Sequence, residues 1–367
     1  SPDGSVSLHL GHVAPPFGPL LKNDFSQMEE VARTLNYNLL FALEENGERK
    51  LSFNEPNTFL AEPQIAKIFT LEMIDGNPVD LERPFTMMLS DKMAHKYFGT
   101  TAIQGKHLRA NNQFDIEITG VYKSFPPQSH WHPDFLVSFS TLFDENLYGR
   151  QNLETNWGNN SFGTYVLANE QFDAAELEKQ FPAFLDRHMG AVAAERNYPM
   201  PSTWTTLFLQ PLTDIHLHSH LDSEVEANGN INTVYMMGVI GLFIILIACF
   251  NFVNLSTARA TKRSKEVGLR KVVGAFKGQL VLQYLSESVV IAFLALIVAL
   301  VLSSIGLNWL NDFTNKSIQL NYLTNALDLT VIIGSTVLVG LLAGIYPSFV
   351  VTDQQPQTDA RAHRRQD

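Results

Sequence analysis

The chain has 367 residues and a formal net charge of −11. Hydrophobic residues make up 45% and charged residues only 17%, below the roughly 25% charge of an average soluble domain, and the length admits two or more domains. One cysteine, Cys249, excludes an intrachain disulfide framework, and the acid–base balance is split, with a net of −15 over residues 1–231 and +4 over residues 232–367. Two physically different regions share the chain.

The opening "SPDGSVSLHLGHVAPPFGPLL" lacks the basic start and long apolar core of a secretory signal peptide. "SDKMAHKYFG" (90–99) predicts a short helix with Ser90 as N-cap and Gly99 just past its end. "FDIEITGVYK" (114–123) alternates Phe114, Ile116 and Ile118 with Asp115, Glu117 and Thr119, the pattern of a half-buried strand. In "HWH" (130–132), Trp131 and Pro133 predict a packed turn rather than a metal site. "FGTYVLAN" (162–169) and "TWTTLFLQPL" (203–212) read as strands. "DAAELEKQFPAFLDRHM" (173–189) reads as a helix with Leu177, Phe181, Phe184 and Leu185 on one face, Asp173 and Glu176 in its first turn, and a kink at Pro182. This mixture predicts an α+β domain of two subdomains over residues 1–231.

"DIHLHSHLD" (214–222) alternates His216, His218 and His220. On a strand all three imidazoles would point to one side and could share zinc or copper. The weightier reading is a polar strand edge ahead of the apolar region, since nothing in the sequence orients the rings as ligands. "GTTAIQGKH" (99–107) has the wrong glycine spacing for a phosphate loop and His107 where a hydroxyl is needed. No G-x-S-x-G and no H-E-x-x-H occurs. The residues give no catalytic site, no cofactor and no metal beyond that three-histidine candidate, and nothing points to nucleic acid.

Three apolar runs follow, Val234–Asn254, Val289–Leu307 and Leu329–Val351, with no Asp, Glu, Lys or Arg in any of them. Each is near the ~20 residues a helix needs to cross hydrocarbon. They predict transmembrane helices at 232–255, 288–308 and 328–351, joined by a cytoplasmic loop at 256–287 and a short external loop at 309–327, with a polar tail at 352–367. The loop between the first two runs carries Arg259, Lys262, Arg263, Lys265, Arg270, Lys271 and Lys277 against Glu266 and Glu287, and by the positive-inside rule it is cytoplasmic. Residues 1–231 then lie outside, and their export requires an upstream signal or first span. Within the basic loop, Val267, Leu269, Val272, Val273, Phe276, Leu280 and Tyr284 recur at helical spacing among the charges, predicting an amphipathic segment along the inner membrane face. Gly268 and Gly274 would each cost about 1 kcal/mol in a helix, so they point to a tight turn and a close-packed surface, for anionic headgroups or for a partner protein.

Residues 251–288, "NFVNLSTARATKRSKEVGLRKVVGAFKGQLVLQYLSES", resemble the signature of the MacB/FtsX-like permeases of ABC transporters, in the Asn-rich "NFVNLS", the core "KEVGLRK" and the Gly-Ala of "VVGA". "GIYPSF" (344–349) resembles the end of that family's last span, and "MLSDKMAHKYFG", "FDIEITGVYKSFPPQSHWHPDFLVSF" and "PLTDIHLHS" resemble its MacB-type periplasmic core domain. After Pro347 the tail "TDQQPQTDARAHRRQD" departs from the family pattern. The resemblance implies a non-catalytic subunit in the bacterial inner membrane, working by mechanotransmission in export or efflux of a lipophilic or peptide-like load. A separate ATPase chain would carry the ATP and Mg, and a second permease copy would complete a homodimer or pseudo-dimer, with a periplasmic adaptor as a further partner. It also implies the first span upstream. Carried over by position, Glu266, Gly268, Arg270, Lys271, Gly274 and Ala275 form the ATPase-coupling element, and Glu287 marks its junction with the second span. The alternatives are a signalling subunit that activates an envelope enzyme and a membrane-anchored metal-binding receptor.

Overall fold

Alternation of apolar side chains between two faces builds the N-terminal region. The structure is a computed structural model, and it describes residues 8–45, 47–127, 129–262, 269, 273–314, 318 and 325–353. The chain divides into two compact units, Ser1–Ile231 and Asn232–Asp367. In the first, the strands are β1 (Met28–Asn36), β2 (Leu39–Glu45), β3 (Glu48–Glu55), β4 (Thr58–Ala61), β5 (Met73–Gly76), β6 (Thr86–Ser90), β7 (His107–Ala110), β8 (Phe114–Tyr122), β9 (Phe135–Ser138) and β10 (Phe162–Ala168). They form one sheet in the order β10-β1-β4-β9-β6-β8-β7-β2-β3, with β5 also on β8. β4 with β9 and β6 with β8 run parallel, and the remaining pairs run antiparallel.

Because successive side chains in a strand point to opposite faces, the central strands feed two cores. Phe135 and Val137 of β9 join Phe41, Met87 and Leu89 on one side, while Leu136 joins Met88, Tyr122 and Trp131 on the other. Both faces of the sheet are therefore covered. The helices of this unit are α1 (Phe17–Asp24), α2 (Ile65–Ile68), α3 (Asp91–Phe98), α4 (Arg150–Thr155), α5 (Ala174–Glu178), α6 (Phe181–Glu195) and α7 (Leu212–His218). α1 and α6 close a third apolar cluster, in which Phe17, Phe25, Phe181 and Phe184 pack with Met28 of β1.

Local sequence fixes several of these elements. The hydroxyl of Ser90 accepts from the backbone N–H of Met93 at 3.3 Å, and Gly99 ends α3 in the left-handed conformation at φ 71°, as an N-cap and a C-terminal glycine do. In β8, Ile116 and Ile118 are buried and Asp115 is exposed. Thr119 is buried as well, because its hydroxyl donates to the Met87 carbonyl at 3.2 Å. At 173–189, Asp173 caps α5 through the N–H groups of Ala175 and Glu176. Pro182 opens a new helix instead of kinking one; its missing N–H costs nothing in a first turn.

Residues 203–212 form no strand: a 3-10 turn at Pro201–Thr203 is followed by a turn at Trp204, 53% exposed, and then by chain without regular structure up to the helix at Leu212. Pro211 removes a ladder donor at the end of this stretch. The histidine stretch is not a strand either. Leu212–His218 is a helix that follows Pro211, and His220 lies beyond its end. At 100° per residue His216 and His218 point to different sides of it.

In the second unit the apolar runs are long helices, α8 (Ile231–Lys262), α9 (Lys277–Thr314) and α10 (Ala326–Asp353). Each holds a stretch long and apolar enough to cross a membrane, Ile231–Ala258, Lys277–Phe313 and Ala326–Phe349. Most of their large side chains are open to the surroundings, as with Ile247, Phe250, Leu294 and Leu302.

Candidate coupling region

The basic segment lies between α8 and α9. Glu266, Gly268, Arg270 and Lys271 of the predicted coupling element fall outside the described residues. Of its remaining members, Gly274 sits in a turn at φ 102°. A Cβ there would meet nothing within 4 Å, so the glycine answers to backbone conformation, which L side chains avoid, and not to crowding. Ala275 follows the turn, half-buried, and Glu287 stands exposed three turns into α9.

The turn is tied to the start of α9 by two bonds in opposite directions. The Gln279 side chain accepts from the Phe276 N–H at 3.3 Å, and the Gln279 N–H donates to the Phe276 carbonyl at 3.0 Å. This is the Gln half of a capping box, which satisfies an N–H left over at a helix start. Around it Leu269, Val273, Phe276 and Leu282 are 67%, 81%, 76% and 69% exposed. The segment therefore presents apolar side chains beside a dense basic sequence, on a turn held in one conformation.

α9 and α10 meet through small residues. A Cβ on Gly340 would stand 2.9 Å from the Val289 Cα, and one on Gly344 would stand 2.7 Å from the Ser288 hydroxyl and 2.8 Å from its Cβ. Ser288, Ala343 and Ser348 are buried at this seam, as is Leu280 near the start of α9. Ser288 and Ser348 donate to carbonyls of their own helices, at Tyr284 (3.0 Å) and Ile345 (2.7 Å), so neither brings an unpaired hydroxyl into the contact. Pro347 sits inside α10, one turn beyond Ala343, where it cannot donate to the Ala343 carbonyl. The seam was readable as "GLLAG" (340–344), the Gly-x-x-x-Gly spacing that lets two membrane helices approach closely.

The histidines do not assemble a metal centre. Among the described residues no group of three or more His, Cys, Asp or Glu is placed to hold an ion. His218 and His220 instead line a shallow cleft with His9, Phe208 and Pro211. Trp131 is fully buried at its turn, against Phe59, Phe69, Phe125 and Tyr165. Burial holds His130 below the ordinary imidazole range, and its Nε2 lies 3.2 Å from the Tyr165 hydroxyl. His132 is shifted the other way by its hydrogen bond to Glu226.

Residues 238–356 match the family described as FtsX-like permease C-terminal. Over 96 residues, 26% of this chain, the sequence is 32% identical to the macrolide export ATP-binding/permease protein MacB of Chlorobaculum tepidum, of which it covers 14%. Over 308 residues, 79% of this chain, it is 20% identical to the ABC transporter permease YtrF of Bacillus subtilis, of which it covers 63%. The periplasmic region of MacB from Actinobacillus actinomycetemcomitans aligns with 54% of this chain and 80% of that one, at 12% identity and a TM-score of 0.35. The chain thus spans less than two thirds of the length of either curated relative. The three long apolar helices and the permease-family match over 238–356 support a membrane protein. The resemblance of residues 251–288 to MacB/FtsX-like permeases is supported by the family match over 238–356 and by the similarity to these ABC permease proteins.

Proposed function

We propose that this chain is the non-catalytic permease subunit of an ABC-type transporter. A separate ATPase chain, which supplies ATP and Mg, docks on the segment 265–287 and drives motion that reaches the N-terminal domain on the periplasmic side of the inner membrane. The load is a lipophilic or peptide-like molecule exported or released outside the bilayer, and two permease copies, as a homodimer or pseudo-dimer, complete the assembly. An adaptor on the periplasmic domain is compatible with the same scheme. The observation that carries this reading is the FtsX-like match over 238–356, which encloses the basic segment with its fixed Gly274 turn and exposed Leu269, Val273 and Phe276. A partner-driven element needs charged and apolar contact points on a stiff lever, and α9 begins directly after that turn as one helix to Thr314.

The test is co-purification of the tagged protein from membranes in mild detergent, followed by an ATPase assay. A stoichiometric ATPase chain is expected, lost or uncoupled in Arg270→Glu and Lys271→Glu while the N-terminal domain keeps its fold. A clean preparation without an ATPase, or charge-reversed variants that couple normally, overturns the assignment.

A further inference from the structure

Residues 219–229 are the chain that leads from α7 to the start of α8 at Ile231, and Asp222, Val225 and Glu226 tie them to the rest of the N-terminal domain. Asp222 bridges to residues 9–11, its N–H donating to the His9 carbonyl at 2.6 Å and its carbonyl accepting from Gly11 at 3.2 Å. Glu224 takes the Ser219 hydroxyl and the Leu221 N–H (3.3 Å), which folds the strap upon itself. Glu226 reaches across to the turn before β9. Its Oε1 accepts from the His132 N–H at 2.6 Å and its Oε2 lies 2.9 Å from His132 Nδ1. Between the last two, Val225 packs against the Trp131 cluster.

The other nitrogen of His132, Nε2, lies 3.1 Å from the Pro126 carbonyl. Both ring nitrogens therefore face acceptors, a carboxylate and a carbonyl. A neutral imidazole has one N–H to give and would leave an acceptor against an acceptor; only the imidazolium donates twice. We propose that His132 and Glu226 form a pH-sensitive latch that pins the strap 219–229, and with it the approach to α8, onto the N-terminal domain. The surrounding groups agree. Asp134 adds attraction for the charged ring, and the nearby His130, which would repel it when charged, has its pKa lowered by burial. Glu224 and His216 also act electrostatically on His130. The bond to Glu226 raises the pKa of His132 above its ordinary 6.5. The sign follows: the latch's stabilisation is complete below 6.5 and is lost as pH rises through the higher folded-state value. The geometry stands on this domain alone and is independent of what the protein transports.

The experiment is hydrogen–deuterium exchange on the full chain in detergent, from about pH 5.5 to about pH 9 and corrected for intrinsic rates. Protection across 219–229 is expected to fall roughly tenfold as pH rises above 6.5, with β9 protected throughout. Glu226→Gln is expected to flatten that step, with the strap open at every pH. A wild-type strap with unchanged protection overturns the latch, and so does a Glu226→Gln strap that keeps the same step. Loss of β9 protection at the same pH makes the event global and also overturns it. Should Glu226→Gln fail to fold, the His132 ring in the wild-type chain is read by NMR: titration above 6.5 supports the latch, and titration at or below it does not.

Discussion

The N-terminal domain and the helical region use the same apolar residues in opposite ways. In the domain, Trp131, Tyr122, Phe41 and Phe135 lie under 2% exposed. In the helices, Phe250, Ile247 and Leu302 are above 60% exposed, and the contact that holds two helices together runs through Gly340, Gly344 and Ser288. The difference is one of solvent. Taking apolar surface out of water yields about 25 cal/mol per Å², so a water-facing domain is stabilised by its largest side chains. Hydrocarbon is as apolar as leucine, so between membrane helices that gain vanishes and close backbone approach takes its place. A large side chain is a stabilising element in one region and a filler in the other, and for glycine the roles reverse.

The comparison breaks first, if it breaks, at Trp131. Trp131→Ala is expected to cost about 3–5 kcal/mol, the range for emptying a fully buried aromatic site, read as the unfolding midpoint of the domain by near-UV circular dichroism. Trp131→Phe should cost clearly less, since it keeps a ring and removes an indole N–H with no partner among the described residues. The second test inverts the logic. Gly344→Leu adds bulk where a Cβ alone would stand 2.7 Å from Ser288, and about 1–3 kcal/mol of destabilisation is expected, measured as thermal unfolding in one fixed detergent. Gly334→Leu is its control: nothing lies within 4 Å of a Cβ there, and no loss is expected. Equal effects at 334 and 344 would remove the seam from the account. A third, smaller effect is Ser90→Ala, which deletes the α3 cap and should cost about 1 kcal/mol, with the unfolding cooperativity unchanged.

The elements that could be read from the sequence were those whose cause is local. Ser90 and Gly99 sit at the two ends of one helix, and the alternation of Phe114 to Ile118 needs no partner strand to be seen. Trp131 with Pro133 marked its own turn, and the three charge-free runs announced three long helices by length alone. What escaped had a cause elsewhere in the chain. The sheet order depends on pairings such as β1 with β10, more than a hundred residues apart, and nothing near either strand names its partner. Residues 203–212 have strand-like composition, but no strand of the sheet pairs with them. His216, His218 and His220 have the spacing of a strand face, yet Leu212–His218 follows Pro211 as a helix. The pairing of His132 with Glu226 spans 94 residues, so only the fold could bring it into view. The Gly340–Gly344 spacing was legible and needed only the question of how the apolar helices touch.

The smallest expected effect is also the sharpest test of the contrast. Leu302 lies on α9 with 63% of its surface open, and Leu302→Ala removes as much side chain as the same change at Leu89, which is 0% exposed in the β6 core. At Leu89 the loss combines lost transfer with a cavity, about 2–5 kcal/mol. At Leu302 no cavity forms, and the removed atoms had lipid or detergent for neighbours in either state, so the change should stay within about 0.5 kcal/mol. The two variants are compared in the same preparation, by the unfolding midpoint of the unit each belongs to. If Leu302→Ala costs as much as Leu89→Ala, that face of α9 is covered by protein in the working assembly and does not face hydrocarbon. The position of the loss along α9, mapped with Leu294→Ala and Ile305→Ala, would then trace the covering surface.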